Sequence, residues 1–182
     1  EKAIEQTAGT YDVSVQWRPF LLRPDNPREG IPKAPDTPDN PRVGARMKQA
    51  GQSVGIDFTG KCDRTPSTIW AHCLLQHALD TQGAEMQNKL SEVIFRAYFT
   101  DGLYPDVDNL VQLAAEVGMD GEEARGVLES GQYEEQVLKE VRGYSRGGVS
   151  GVPFFIINGQ PAFSGAQDSS SFVQAFKQLT AQ

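Results

Sequence analysis

The chain predicts an α/β fold whose strands lie toward its two ends and whose middle is helical. Three observations carry this. Val13, Val15 and Trp17 alternate with Ser14, Gln16 and Arg18, the pattern of a strand with one face buried. From Pro41 to about Gly147 only helical spacing appears. Finally, the apolar run Phe154 to Ile157 is entered from Pro153 and followed by Asn158-Gly159. That reads as a short buried strand turning through a two-residue hairpin into a partner, Gln160 to Ser164.

In chain order, Glu1 to Thr7 reads as the last turns of a helix, stopped by Gly9. The alternating strand follows. Seven prolines between Pro19 and Pro41 then forbid regular helix or central strand, and composition alone leaves an ordered loop and a flexible arm both open. Arg42 to Ser53 is predicted as a short helix with Val43, Met47 and Ala50 on one face. Pro66 suits the first turn of a stronger helix carrying Ala71, Leu74, Leu75 and Ala78, with Gly83 at its end. Met86, Leu90, Val93, Ile94 and Ala97 form the next stripe, and Phe95 and Phe99, a turn apart, are expected in the core. Helices over Asp106–Val117 and Asp120–Glu129 each open on an acid, which the helix dipole favours. Gln132 to Ser145 and a final helix, Asp168 to Leu179, complete the set.

A proline entering a strand, a hairpin and a C-terminal helix together read as the second half of a thioredoxin fold. Pro153 cannot donate to a sheet ladder, so it belongs at the strand's first position, and its Gly-flanked setting suits a cis peptide. The expected division is a thioredoxin-like domain over 1–62 and 148–182, with residues 19–41 as its proline-rich loop, and a helical insertion over 63–147.

Composition narrows the function classes. With 182 residues the chain suits one domain, and no apolar run approaches the roughly 20 residues that span a bilayer. Residues 101–140 hold eleven carboxylates against Arg125 and Lys139, a local charge of −9 that leaves the rest slightly positive. Such a face repels phosphate, so nucleic acid is not an expected partner. Cys62 and Cys73 are too few for a disulfide scaffold and too far apart for a Cys-X-X-Cys dithiol. A disulfide between them and two free thiols are both compatible with the sequence. Cys73 and His77 are four apart on one helical face, but zinc ligands come in tight pairs and Cys62 stands alone, so no metal is expected. A soluble protein of the cytoplasm or an organelle is the expectation for localisation, although the sequence names no compartment.

Four separated stretches carry a family resemblance. Arg64-Thr65-Pro66-Ser67-Thr68 with Ala71-His72 resembles the opening of a family helix. Phe95 to Gly102 resembles an aromatic helix end, Gly147 to Asn158 a cis-proline loop, and Ser164-Gly165-Ala166-Gln167 a family Ser-Gly-Ala-Gln turn. Together they resemble the FrnE-like branch of the DsbA superfamily, related to 2-hydroxychromene-2-carboxylate isomerases and kappa-class glutathione transferases. The resemblance implies an α/β, thioredoxin-like fold with an inserted all-helical block. It also implies thiol–disulfide oxidoreduction or isomerisation of protein thiols with no organic cofactor.

Members begin with a strand and a helix bearing Cys-X-X-Cys or a Ser variant, and here that first β–α unit is absent. The dithiol is therefore expected upstream of Glu1, and an upstream segment or a partner chain is expected to complete the sheet. Without it, buried strand edges at roughly 1–3 kcal/mol per unpaired group would rival the roughly 5–15 kcal/mol that hold a domain folded. Such a chain is not expected to be a stable monomer.

By resemblance, Val152 and Pro153 would face an extended substrate, with His72 contributing to the same site. Ser164, Gly165, Ala166 and Gln167 admit two readings: a turn facing the carboxylate end of glutathione, or a helix start capped by Ser164 or Asp168. Two further functions stay open beside disulfide exchange. One is a glutathione-dependent isomerase or transferase; the other is a non-catalytic subunit of a larger assembly.

Overall fold

The computed structural model describes residues 2–179, with the Leu179 side chain, like Glu1, outside the described set. Its elements are α1 (Lys2–Gln6), β1 (Ile31–Pro32), α2 (Ala45–Gln52), β2 (Arg64–Thr65), α3 (Ile69–Arg96), a π-helical turn (Ala97–Asp101), α4 (Val107–Glu116), α5 (Gly121–Ser130), α6 (Glu134–Arg146), β3 (Phe154–Ile157), β4 (Gln160–Ser164) and α7 (Ser169–Leu179).

The hairpin forms as the sequence predicts. β3 and β4 are antiparallel, with Ile157 opposite Gln160. Asn158 and Gly159 both take positive φ, 49° and 78°, the backbone that a two-residue turn needs to match strand twist. Phe155 and Phe163 stand on the face that meets α7, where Phe172 lies 4.8 and 5.2 Å from them, edge to face. α1 also packs against α7, with Tyr11 beside Phe176.

The helical block holds most of the core. Leu74, Leu75 and Ala78 of α3 meet Leu110 and Leu113 of α4 and Leu128 of α5 in one cluster. Ile69, Cys73, Val127, Tyr133, Val137 and Val141 form a second cluster, against α6. Every large side chain that is fully buried belongs to α3, α4 or α6, and β3, β4 and α7 contribute none among the described residues. Asp106 and Asp120 cap α4 and α5 by accepting from the N–H groups of Asn109, and of Glu122 and Glu123.

α3 differs from its expected start. It begins at Ile69 rather than Pro66, because β2 pairs with β1 and keeps the chain extended that far. Gly83 breaks it internally at φ 85°, a conformation that costs glycine little, so the two predicted helices run end to end across a kink.

Three expectations are corrected. Val13 to Trp17 joins no sheet among the described residues, and Val15 and Trp17 are exposed. Its backbone is held instead by a side chain, described below. β3 is only partly buried, and Ile156 is exposed, because among the described residues the hairpin is a two-stranded sheet with no strand beside β3. Phe95 and Phe99 are not core: they are 46% and 42% exposed, in ring contact with each other and with Trp17 and Phe58.

Candidate functional site

The site is built at the N-terminal end of β3. After α6, Gly148 takes φ 91° and the chain turns so that the Val149 N–H returns to the Tyr144 carbonyl at 3.1 Å, burying Val149. The next residues run out to solvent. Val152 is 48% exposed, and the Val152–Pro153 peptide is cis. The Pro153 carbonyl accepts from Gly165 N–H at 2.8 Å. That bond ties the proline loop to the Ser164–Gln167 turn, so two stretches separated by the whole hairpin form one surface.

Among the described residues, β3 pairs with β4 along one edge only. Its other edge presents main-chain donors and acceptors beside the exposed Val152. An extended chain can add to such an edge through backbone hydrogen bonds, with side-chain pockets supplying selectivity.

At the start of α7 the two readings of the turn separate. Asp168 Oδ1 accepts from the Ser171 N–H at 2.9 Å and from the hydroxyls of Ser170 and Ser171. These bonds, the Ser170 hydroxyl first, hold the Asp168 carboxyl below the usual carboxylate range. A carboxylate of the chain itself thus occupies the helix N-terminus where a ligand anion would bind. Gln167 Nε2 turns back to the Gly165 carbonyl at 3.4 Å, and Ala166 is exposed.

His72 sits in the first half of α3, where its Nε2 meets the Phe20 carbonyl at 3.2 Å. Burial pulls its pKa down to about 4 against the opposing pull of that carbonyl, so the ring is neutral at pH 7. It fastens the proline-rich segment to the helical block, and no described contact brings it to the proline loop.

The two cysteines are free and buried. Cys73 lies in the second core cluster, and burial, reinforced by Glu134 and opposed by Arg28, pushes its thiol up to about 11. Cys62 directs its Sγ at the Arg64 carbonyl. An attacking thiol needs exposure and a lowered pKa, and Cys73 has neither.

One organising residue escapes sequence reasoning. Gln87 is 1% exposed. Its Oε1 accepts from Trp17 N–H at 2.9 Å, and its Nε2 donates to the Trp17 carbonyl at 3.0 Å and to Leu75 at 3.2 Å. One carboxamide therefore takes the place of a neighbouring strand for the 13–17 segment and bridges the kink in α3. A lone Gln in a helical stretch gives no signal of this.

A partial sheet with an exposed edge at the proline loop, one helix behind it and an inserted helical block define a thioredoxin-fold domain of the DsbA kind. A family model described as DSBA-like thioredoxin domain matches residues 1–177, and the chain belongs to that family. Among curated proteins it is similar to the uncharacterized protein YwbO of Bacillus subtilis (strain 168), 28% identical over 179 residues, which are 95% of this chain and 86% of the relative. Among solved structures it is similar to the probable DsbA oxidoreductase SCO1869 from Streptomyces coelicolor. There the TM-score is 0.83 and the identity 26%, over 100% of this chain and 81% of the other. The family is one of thiol–disulfide oxidoreductases.

Proposed function

We propose that this chain is the substrate-holding part of a FrnE-like thiol–disulfide oxidoreductase, with the attacking dithiol supplied from outside the 182 residues. The observation that carries this is the exposed edge formed by Val152, Pro153 and β3, which suits an extended protein substrate held by its main chain. The buried, unpaired state of Cys62 and Cys73 supports it from the other side, since neither is built to attack. A thiolate at a helix N-terminus would attack the substrate disulfide and form a mixed disulfide, and a second thiol would then displace the reduced substrate. The strand leading to that helix would cover the open edges of β3 and of the Val13–Trp17 segment.

The glutathione reading gains no support at the Ser164–Gln167 turn, because Asp168 places a negative charge where the tripeptide's carboxylate would lie. The test is insulin-disulfide reduction by the full-length gene product. We expect activity that Cys62→Ala and Cys73→Ala both preserve and that an upstream Cys→Ala abolishes. A folded Cys62→Ala or Cys73→Ala variant without activity would overturn the assignment of the dithiol.

A further inference from the structure

Away from the hairpin, the loop leading to Cys62 folds over the π-helical turn. The Thr59 hydroxyl donates to the Thr100 carbonyl at 2.7 Å, and the Thr100 hydroxyl donates to Asp57 at 2.8 Å. Between this loop, α2 and the turn lies a cavity of about 220 Å³. Val43, Met47, Phe58 and Phe99 give it an apolar wall, with Met47 and Phe99 exposed at the rim.

Two cations line the same space. The Lys33 ammonium lies 4.9 Å from the centre of the Tyr98 ring and donates to the Cys62 carbonyl at 3.0 Å; Tyr98 and Cys62 both line the cavity. Arg42 Nη1 donates to the carbonyl of Gly60, another lining residue, at 3.2 Å. Neither cation has a carboxylate partner among the described residues; Arg42 is held by backbone carbonyls alone, its Nε also donating to Ala34 at 3.0 Å and its Nη1 to Lys61 at 3.4 Å. The carboxylate of Asp36 is bonded to Arg42 as well, but to its backbone N–H and not to its guanidinium. Two uncompensated positive charges beside a low-dielectric wall concentrate a field that favours an anion.

We propose that this cavity is a binding site for a small monocarboxylate with a short apolar tail. The head lies between Lys33 and Arg42, and the tail lies against Met47 and Phe58. The volume is below the roughly 300–1,000 Å³ of sites for drug-sized ligands, and at roughly 30 Å³ per water-sized group it admits about seven or eight heavy atoms. The site stands apart from Val152 and Pro153 and does not depend on the thiol chemistry.

Calorimetric titration with hexanoate and pentanoate tests the proposal, with hexan-1-ol and hexylammonium as uncharged and cationic controls. We expect the carboxylates to bind with a dissociation constant of order 1 mM, weakening with salt, and the controls to bind at least about 10-fold more weakly. Lys33→Gln and Arg42→Gln are each expected to weaken hexanoate about 5- to 10-fold. Met47→Glu, which sets a carboxylate at the exposed rim, is expected to abolish binding while leaving the circular dichroism spectrum unchanged. Equal binding of hexanol and hexanoate, no heat from either acid, or undiminished binding by a folded Met47→Glu variant would each overturn the proposal.

Discussion

Gln87 is the residue whose replacement tests the architecture most directly. Gln87→Met keeps the side-chain length and removes all three hydrogen bonds to Trp17 and Leu75. Each buried bond is worth about 0.5–1.5 kcal/mol net, and an unsatisfied buried group costs about 1–3 kcal/mol. Trp17 is 39% exposed, so water can replace its two bonds in part, whereas the contact with Leu75 is buried. The expected loss is therefore about 1–3 kcal/mol. Gln87→Ala adds a cavity among the side chains around α3 and should lose about 2–4 kcal/mol. Gln87→Glu keeps the acceptor for the Trp17 N–H but turns a carboxylate toward two carbonyls, and it should be the least stable near neutral pH. Urea denaturation gives the free energies. Trp17 emission, recorded in a Trp70→Phe background, reports whether the 13–17 segment lifts away. A Gln87→Met variant within about 0.5 kcal/mol of the parent, with unchanged Trp17 emission, would refute the idea that this carboxamide stands in for a strand.

Two further outcomes follow from the same geometry. His72, with its pKa lowered to about 4 by burial, binds its proton more readily in the unfolded chain, near the usual 6.5. Stability is therefore complete above about pH 6.5 and falls as the pH drops toward 4. The loss is at most about 3 kcal/mol, and less for a half-buried ring; His72→Gln should flatten that slope in urea melts taken between these values, and an unchanged slope would assign it to other groups. Gly102 ends the π-helical turn at φ 84°, and a Cβ there would collide with the Lys61 side chain. Gly102→Ala should cost about 2 kcal/mol or more, read as a lower urea midpoint with an unchanged slope; a neutral effect would show that the Lys61 loop moves freely.

Local rules made much of this fold legible. The Asn158-Gly159 turn and the caps at Asp106 and Asp120 are decided by a few neighbouring residues, and the structure puts them where the sequence does. Periodicity also located the two halves of α3 and the break at Gly83. It failed wherever the answer depended on what lies alongside. The alternation from Val13 to Trp17 reads as a strand, but alternation cannot supply the neighbour that would make one, and none pairs with it among the described residues. Phe95 and Phe99 follow a helical stripe, yet apolar side chains on a helix are buried only as far as other elements cover that side, and here Trp17 and Phe58 cover it only in part. At the candidate site, Val152, Pro153 and the Ser164–Gln167 turn were found through family resemblance. The Gly165–Pro153 bond that unites them needed coordinates, because nothing local announces a contact across a hairpin.

The uneven distribution of buried side chains has a dynamic consequence. Leu74, Leu90, Leu110 and Val137 anchor the helical half, while the hairpin and α7 are closed chiefly by aromatic rings at an open face. Amide exchange should accordingly be slow along α3 and α4 and fast along β3, with the hairpin half opening at a small fraction of the global unfolding free energy. A soft edge mounted on a rigid anchor can shift its backbone locally while the anchor stays intact.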